Sequence, residues 1–222
     1  VSLSAPAKTP LPFIRQLYRG MHCQAKRFGT ALLGGDTTAS PAGITITITM
    51  IGTAARDRVV YRHGARAGDH VYVTGSLGDA ALGLKALEKS GSIASRRQLV
   101  RRQLDPDPRV AAGQRIAAGK AASSMIDISD GLVADLRHIL EESRVGARIS
   151  LDAIPLSAGY KKYCTCRGDD FYLPALRGGE DYELLFTASP SRGARIEKIA
   201  QELSLPISRI GVITSHCRRL EI

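Results

Sequence analysis

The segment SMIDISDGL, residues 124–132, changes from an extended pattern to a helical pattern within a few residues. From Ile126 to Ser129, apolar and polar side chains alternate, which is typical of a strand with one buried face. From Leu132 to Glu142 the apolar residues follow helical spacing instead. The segment therefore predicts a strand that runs directly into a helix, with two aspartates and a serine at the junction.

Other strand and helix patterns lie on both sides of this junction, and ITITITMI at 44–51 is the plainest strand pattern among them. The predicted strands cover 31–33, 44–51, 70–74, 124–128, 148–151, 182–187 and 207–213. The predicted helices cover 13–28, 79–89, 109–119, 132–142 and 191–203, and 159–172 is predicted to be a loop. Because strands and helices mix without a regular βαβ alternation, the pattern predicts an α+β fold with mixed or antiparallel sheets rather than a Rossmann fold.

The composition describes a globular protein with an excess of positive charge. The chain has 222 residues and a net charge of +10, so it attracts anions such as nucleic acids or phosphorylated metabolites. Only 5% of its residues are aromatic and none is tryptophan, which argues against a protein that stacks single-stranded nucleic acid. The arginine cluster is predicted to lie on a solvated helix face rather than to bind DNA; its members are Arg96, Arg97, Arg101 and Arg102.

Neither the cysteines nor the apolar runs indicate a secreted or membrane protein. Cys164 and Cys166 are separated by one residue instead of the two usual in a zinc site, and no histidine lies close to them. We interpret them, with Cys23 and Cys217, as free thiols in a reducing cytosol, and a metal or redox role is the alternative. No signal peptide or membrane-spanning run is visible. The chain starts at Val1 instead of Met, so we expect it to be a fragment.

Asp127, Ser129 and Asp130 at the junction have two interpretations that the residues alone leave open. Carboxylate oxygens bind hard cations such as Mg²⁺ next to substrate phosphates, and strand alternation places Asp127 and Ser129 on one face. Alternatively, Ser129 or Asp130 caps the first free N–H groups of the following helix.

Two further segments could bind phosphate. In GGDTT, residues 34–38, the glycines allow a close approach of the backbone to a ligand, and Asp36 could hold a metal ion on the phosphates. The alternative is a turn in which Asp36 accepts a hydrogen bond from its own backbone. Arg62, beside a glycine turn, could clamp a phosphate or could simply be solvated.

The segment RGGEDYELLF, residues 177–186, places Glu180 and Asp181 on a turn, where they could meet a cationic or polar group of a substrate. Glu183 is interpreted as a possible solvent-facing residue of the next strand. No Gly-x-Ser-x-Gly elbow occurs, so no covalent nucleophile is predicted. Acidic turns, glycines and an arginine fit metal-assisted phosphoryl transfer, which depends on positioning and neutralisation of charge.

In order along the chain, LLGGDTT, RHGARAGDHVYVTGSLGDAALGL, DPDPRV, IDISDGL and GGEDYELLF resemble the motifs of thiamine-monophosphate kinase. The resemblance covers nearly the whole chain, and IDISDGL together with GGEDYELLF is highly specific. Each motif alone also resembles the wider superfamily of aminoimidazole ribonucleotide synthetase, selenophosphate synthetase and a hydrogenase-maturation protein.

The resemblance implies an enzyme that transfers the γ-phosphoryl group of ATP to thiamine monophosphate, assisted by Mg²⁺. It implies two α/β domains, of which the first, residues 1–63, binds ATP and pairs in a homodimer to form a barrel, while 64–222 form the second. It also implies a cytoplasmic protein without nucleic-acid or membrane partners. Carried over by motif, the residues expected at ATP are Tyr18, Gly35, Asp36, Arg62 and Ser129. Those expected at Mg²⁺ are Asp36, Asp127 and Asp130, and Glu180 is expected at the thiamine moiety.

Two parts of the family pattern are missing from the chain. An N-terminal region with a Gly-Asp-Asp motif and a C-terminal tail with an aromatic residue have no counterpart in it, so we expect this chain by itself to be incomplete for catalysis. The alternatives are another ATP-using enzyme of the superfamily and a module without catalytic activity that binds nucleotide or nucleic acid.

Overall fold

The computed structural model describes residues 1–88, 96–164 and 168–222, and the side chains of all of these except 168 and 169. The chain divides into two compact units, residues 1–53 and 54–222. Mixed parallel and antiparallel sheets with helices occur in the structure, which confirms the predicted fold class. Among the described helices, none combines the length and the apolar character needed to cross a bilayer.

The first unit is a three-stranded sheet and a long helix. In chain order its elements are β1 (Ser2–Ala5), α1 (Leu11–Arg27), β2 (Asp36–Ala39) and β3 (Thr45–Thr47). Strand β1 is central, parallel to β2 and antiparallel to β3. The prediction of a strand at 31–33 was wrong, because the chain becomes a strand only at Asp36. Within the ITITITMI segment, residues Thr45–Thr47 form a paired strand, with Thr47 opposite Ser2 and Thr45 opposite Ser4 of β1.

The second unit contains a larger mixed sheet that is covered by helices. Its strands are β4 (His70–Thr74), β5 (Ser124–Asp127), β6 (Gly146–Ile149), β7 (Leu184–Ala188), β8 (Ile207–Thr214) and β9 (Leu220–Glu221). Its helices are α2 (Asp79–Glu88), α3 (Arg97–Leu104), α4 (Val110–Ala118), α5 (Leu132–Ser143), α6 (Ala158–Tyr163), α7 (Leu173–Arg177) and α8 (Gly193–Leu203). The strand order is β5-β7-β4-β8-β6-β9, antiparallel except for the β6–β9 pair.

Alternating side chains of the central strands bury both faces of this sheet. Val71 and Val73 pack in one cluster with α2, α3 and α5, whereas Tyr72 between them packs in a second cluster with α4 and α8. Phe186 of the neighbouring strand stacks on Tyr72, with the two ring centroids 5.3 Å apart. Because both faces are covered, the strands are held in a fixed register, and this register positions the residues at their ends.

Several sequence predictions need correction within the second unit. The predicted loop at 159–172 contains α6 and a 3₁₀ turn at Gly168–Tyr172, and the predicted strand at 148–151 begins earlier, at Gly146. The arginine cluster lies at and within α3, as expected of a helix, but Arg102 is not solvated because it pairs with an acid. Cys166 and the last residue of the predicted 79–89 helix lie outside the described residues. Cys23 and Cys217 are exposed free thiols, whereas Cys164 is buried.

Candidate functional site

The IDISDGL and GGEDYELLF segments lie side by side, because β5 and β7 pair antiparallel with Asp127 opposite Leu184. The pairing continues beyond the strands. The Ile128 N–H donates to the Glu183 carbonyl oxygen (2.8 Å), and the Tyr182 N–H donates to the Ile128 carbonyl oxygen (2.9 Å). Residues separated by about fifty positions in the chain therefore form one surface.

On the junction side of this surface, the alternation expected from the sequence is present. Ile126 and Ile128 are buried, whereas Asp127 is exposed and Ser129 half-buried between core and solvent. Asp130, also exposed, follows at the turn into α5. The two carboxylates and the hydroxyl are thus available to a ligand from the same end of the strand.

The turn into α5 is not capped by Ser129 or Asp130, and the capping interpretation was wrong. Gly131 is the N-cap residue, with φ of +112°, and it has no capping side chain. Instead Asp135, in the first turn of the helix, accepts hydrogen bonds from the N–H groups of Ser129, Asp130 and Gly131 at 3.0–3.1 Å. Asp130 is therefore released from a capping role and keeps its carboxylate oxygens for other partners.

Asp135 is almost fully buried, and its ionisation depends on this environment. Burial raises the pKa of the Asp135 carboxyl, while the three backbone N–H groups act in the opposite direction. Asp130, Asp135 and His138 each place one ligand atom within 4.8 Å of the others. The oxygen donors of Asp127 and Asp130 suit Mg²⁺ better than a histidine nitrogen does, since Mg²⁺ prefers oxygen ligands.

The turn at 178–182 is held in an uncommon backbone conformation. Glu180 and Tyr182 both have positive φ, +67° and +50°, although neither is glycine. Such conformations cost free energy and are concentrated at functional sites. The Glu180 N–H donates to the Ser129 carbonyl oxygen (2.8 Å), while its side chain is exposed and accepts a hydrogen bond from Gln103 Nε2.

Asp181, next to Glu180, does not face a ligand as the sequence analysis allowed. Its side chain is buried and accepts hydrogen bonds from the N–H groups of Gly78 (2.6 Å) and Ala80 (3.3 Å) at the start of α2. Burial raises the pKa of the Asp181 carboxyl to about 7, and the two N–H groups partly offset this shift. Asp181 therefore links the 178–182 turn to the start of α2 by hydrogen bonds.

Glu183 is also buried, with no exposed surface at all, and its interpretation as a solvent-facing residue was wrong. Its carboxylate accepts hydrogen bonds from the Thr74 hydroxyl, from Arg102 and from Arg109. The bond to Glu183 raises the pKa of the Arg109 guanidinium, while burial opposes it.

Arg62 lies beside the same surface. The carbonyl oxygen of Tyr61, its neighbour in the chain, accepts a hydrogen bond from the Met125 N–H of β5 (2.9 Å). The backbone of Arg62 therefore lies next to β5, which ends at Asp127, and its side chain is exposed. Both residues belong to the second unit.

The remaining expected site residues, Tyr18, Gly35 and Asp36, belong to the first unit. Tyr18 lies on α1, and Asp36 starts β2 with its Oδ1 accepting a hydrogen bond from the Thr37 N–H (2.8 Å). A Cβ atom on Gly35 would lie 1.7 Å from the carbonyl oxygen of Val1, so this position requires glycine for the approach of β1. The predicted alternative, in which Asp36 accepts a hydrogen bond from the adjacent backbone, is therefore present, and the Asp36 side chain is exposed.

Two domain models of one family match this chain. Residues 66–219 match "AIR synthase related protein, C-terminal domain", and residues 1–54 match the corresponding N-terminal domain. Thiamine-monophosphate kinase from Haemophilus influenzae is 40% identical over 195 residues, which cover 86% of this chain and 57% of the relative. The structure of thiamine-monophosphate kinase from Stenotrophomonas maltophilia K279a superposes with a TM-score of 0.85 at 33% identity, covering 99% of this chain and 70% of that one.

The chain belongs to the thiamine-monophosphate kinase family of AIR synthase related proteins. It spans a little over half the length of the curated relatives it matches. A further member of the family, AaThiL, was solved in complex with AMPPCP and TMP, and it superposes with a TM-score of 0.81 at 31% identity. That superposition covers 100% of this chain and 69% of the other.

The residues that hold this surface in place, Asp135, Arg102 and Arg109, were not predicted from the sequence. Asp135 could have been found, because an aspartate in the first turn of a helix is a common acceptor for free N–H groups. The pairing of Glu183 with Arg102 and Arg109 had no local signal, since these residues are more than 70 positions apart in the chain.

Proposed function

We propose that the protein in its natural full length is a thiamine-monophosphate kinase that transfers the γ-phosphoryl group of ATP to thiamine monophosphate. The observation that carries the proposal is the pairing of β5 with β7, which joins the acidic junction at Asp127–Asp130 to the turn that carries Glu180. The AMPPCP and TMP bound to a relative that superposes on the whole chain support ATP and thiamine monophosphate as the ligands.

The exposed side chains of this surface divide between the two substrates. Asp127 and Asp130 would be ligands of Mg²⁺, since their oxygen donors fit that ion. In the first unit, the exposed carboxylate of Asp36 is also proposed as a ligand of Mg²⁺. Arg62 and Ser129 would bind the phosphates of ATP. In the first unit, Tyr18 and Gly35 are proposed as residues that contact ATP. Glu180 would contact the thiamine moiety, because an exposed carboxylate in a fixed turn attracts a cationic ring. Bound Mg²⁺ would neutralise charge on the phosphate oxygens as the phosphoryl group moves.

The protein contributes positioning and electrostatics rather than a covalent nucleophile. Phosphoryl transfer needs the attacking and leaving oxygens in line, and a fixed surface provides this alignment. We further propose a cytoplasmic homodimer with domains at 1–63 and 64–222. The two matched family ranges leave residues 55–65 between them, which supports a boundary in this segment, whereas the compact units divide ten residues earlier, between Thr53 and Ala54.

The test is conversion of thiamine monophosphate to thiamine diphosphate by the natural full-length protein with ATP and MgCl₂. Replacing both junction acids (Asp127→Asn with Asp130→Asn) should lower the rate about 100-fold or more, because charge neutralisation by a bound metal contributes several kcal/mol. The matched control is Glu141→Gln with Glu142→Gln, which removes the same charge from exposed positions of α5. Absence of thiamine diphosphate with the unaltered protein, or an equal rate in both double variants, would contradict the proposal.

A further inference from the structure

A buried carboxylate with two arginines lies directly beneath the 178–182 turn. Glu183 has no exposed surface, and its oxygens accept hydrogen bonds from Thr74 Oγ1 (2.7 Å), from Arg102 Nη2 (2.5 Å), and from Nε and Nη2 of Arg109 (both 2.6 Å). The two donors of Arg109 form the bidentate geometry that only a guanidinium provides. Every hydrogen-bonding direction of the carboxylate is therefore used, as burial of a charge demands.

Two guanidiniums, those of Arg102 and Arg109, bind the single carboxylate of Glu183, although one would neutralise its charge. Each guanidinium also interacts electrostatically with a second acid, since Asp107 raises the pKa of Arg109 and Arg102 lowers the pKa of Asp181. A buried ion cluster adds little net stability relative to apolar packing, but it defines geometry strictly. Because the Glu183 carbonyl accepts the Ile128 N–H, fixing Glu183 also fixes the pairing of the turn with the acidic junction.

Helix α3 contacts both glutamates of the turn through neighbouring residues. Arg102 binds Glu183, and Gln103 donates from Nε2 to Glu180 Oε2. The helix is itself seated closely, since a Cβ atom on Gly83 of α2 would lie 2.2 Å from the carbonyl oxygen of Leu99. One closely packed helix therefore holds the exposed glutamate and the buried glutamate at the same time.

The chemistry of the Gln103 contact matters for the exposed glutamate. A neutral amide orients the Glu180 carboxylate without neutralising its charge, whereas a lysine or arginine at this position would cancel that charge. The buried glutamate, in contrast, is paired with cations. The arrangement keeps the negative charge of the turn at its exposed end.

We propose that Arg102, Gln103 and Arg109 are positioning residues that set the Glu180 carboxylate for the cationic ring of the thiamine substrate. The inference rests on the proposed function, in which Glu180 contacts that ring. It assigns a role to the DPDPRV motif, whose arginine is Arg109, and to α3, which carries no expected ligand residue.

The experiment compares steady-state kinetics of Arg102→Gln and Gln103→Leu in the natural full-length protein. Both variants should raise the KM for thiamine monophosphate about fivefold, equivalent to about 1 kcal/mol, with the KM for ATP unchanged. Arg109→Lys should retain more of the affinity for thiamine monophosphate than Arg109→Gln, because lysine keeps the charge but loses the bidentate geometry. The matched controls are Arg101→Gln and Gln98→Leu, two exposed positions on the same helix, which should leave both KM values unchanged.

A double-mutant cycle separates positioning from simple support of the fold. Glu180→Ala should raise the KM for thiamine monophosphate, and adding Gln103→Leu should raise it no further, because the partner is already absent. Two outcomes refute the positioning role if Glu180→Ala does raise the KM for thiamine monophosphate. In the first, Gln103→Leu and Arg102→Gln change only thermal stability. In the second, they raise the KM for ATP and the KM for thiamine monophosphate equally. If Glu180→Ala leaves the KM unchanged, the assignment of Glu180 to the substrate is refuted, and the positioning role with it.

Discussion

A methyl group on Gly179 would lie 2.4 Å from the carbonyl oxygen of Ser129, closer than any real contact allows. The glycine is therefore needed for packing against the junction, not for an unusual dihedral angle. Gly178 is equally restricted, since a Cβ atom there would lie 2.2 Å from the carbonyl oxygen of Pro174. Gly179 thus lets the turn approach Ser129 and Asp130, while Gly178 lets it pack against Pro174 and Ala81. Of the acids that follow, Glu180 is exposed and Asp181 and Glu183 are buried.

At the same scale, the raised pKa of the Asp181 carboxyl should make the stability of the protein depend on pH. Burial raises its pKa to about 7 from an ordinary 3.8, so between these values the folded protein keeps a proton that the unfolded chain has lost. The contribution of Asp181 to the free energy of unfolding therefore falls as pH rises through this interval, by up to about 1.4 kcal/mol per pH unit, and is constant above it. Urea unfolding of the wild type and of Asp181→Asn from pH 5 to pH 8 measures the difference.

The difference in stability between wild type and Asp181→Asn should decrease with rising pH. Asp57→Asn, at an exposed position of the same unit, is the control and should give a curve parallel to that of the wild type. Parallel curves for Asp181→Asn as well would show that its carboxyl titrates normally.

At the scale of elements, the junction between β5 and α5 depends on Asp135. This single carboxylate oxygen accepts hydrogen bonds from three successive N–H groups and orients the backbone that carries Ser129 and Asp130. The negative charge also lies at the N-terminal end of the helix, where it is favoured by the helix dipole.

Replacement of Asp135 should therefore harm both stability and metal-dependent binding. Asp135→Ala leaves three N–H groups without their acceptor, which should lower the free energy of unfolding by about 1–3 kcal/mol. The affinity for ATP in the presence of Mg²⁺ should fall more than the affinity for thiamine monophosphate, because Asp130 is displaced more than Glu180. Urea unfolding and ligand titrations measure these quantities, and Glu142→Ala, an exposed position on the same helix, should change neither. An unaltered ATP affinity in Asp135→Ala would show that the junction is ordered by other contacts.

Elements with local signals could be predicted from the sequence, and those that depend on distant partners could not. The periodicity of 132–142 and 191–203 was sufficient for α5 and α8, because each buries one face. The alternation in ITITITMI predicted the strand at 44–51, of which residues Thr45–Thr47 are paired as β3. The exposed side of Asp127 could be predicted from strand alternation, and its role and that of Asp130 stay predictions. The burial of Glu183 could not be predicted, because it depends on Arg102 and Arg109 in other elements.

At the scale of the whole molecule, nearly all of the buried core belongs to residues 54–222. Both hydrophobic clusters lie there, on the two faces of the six-stranded sheet, whereas the first unit has Leu3 as its buried apolar residue. Helix α1 has no buried residue. A unit of 53 residues with so little buried surface has little stability by itself.

A fragment of residues 54–222 should accordingly fold alone, with a single cooperative urea transition followed by circular dichroism. It should also retain protection of the Ile128 and Tyr182 amides from hydrogen exchange, since these bonds lie within the unit. The fragment 1–53 serves as the comparison and should show no cooperative transition. A broad, non-cooperative transition of 54–222 would mean that its sheet needs the first unit.

The β5–β7 register also restricts how this family can evolve. Inserting or deleting one residue between Glu180 and Leu184 would exchange the faces of Leu185 and Phe186, which belong to opposite hydrophobic clusters. The same change would separate Glu180 from Ser129. The pairing therefore tolerates substitutions in IDISDGL and in GGEDYELLF more readily than a change in the length of one segment. We expect such a change of length to be retained only together with a matching change in the other segment.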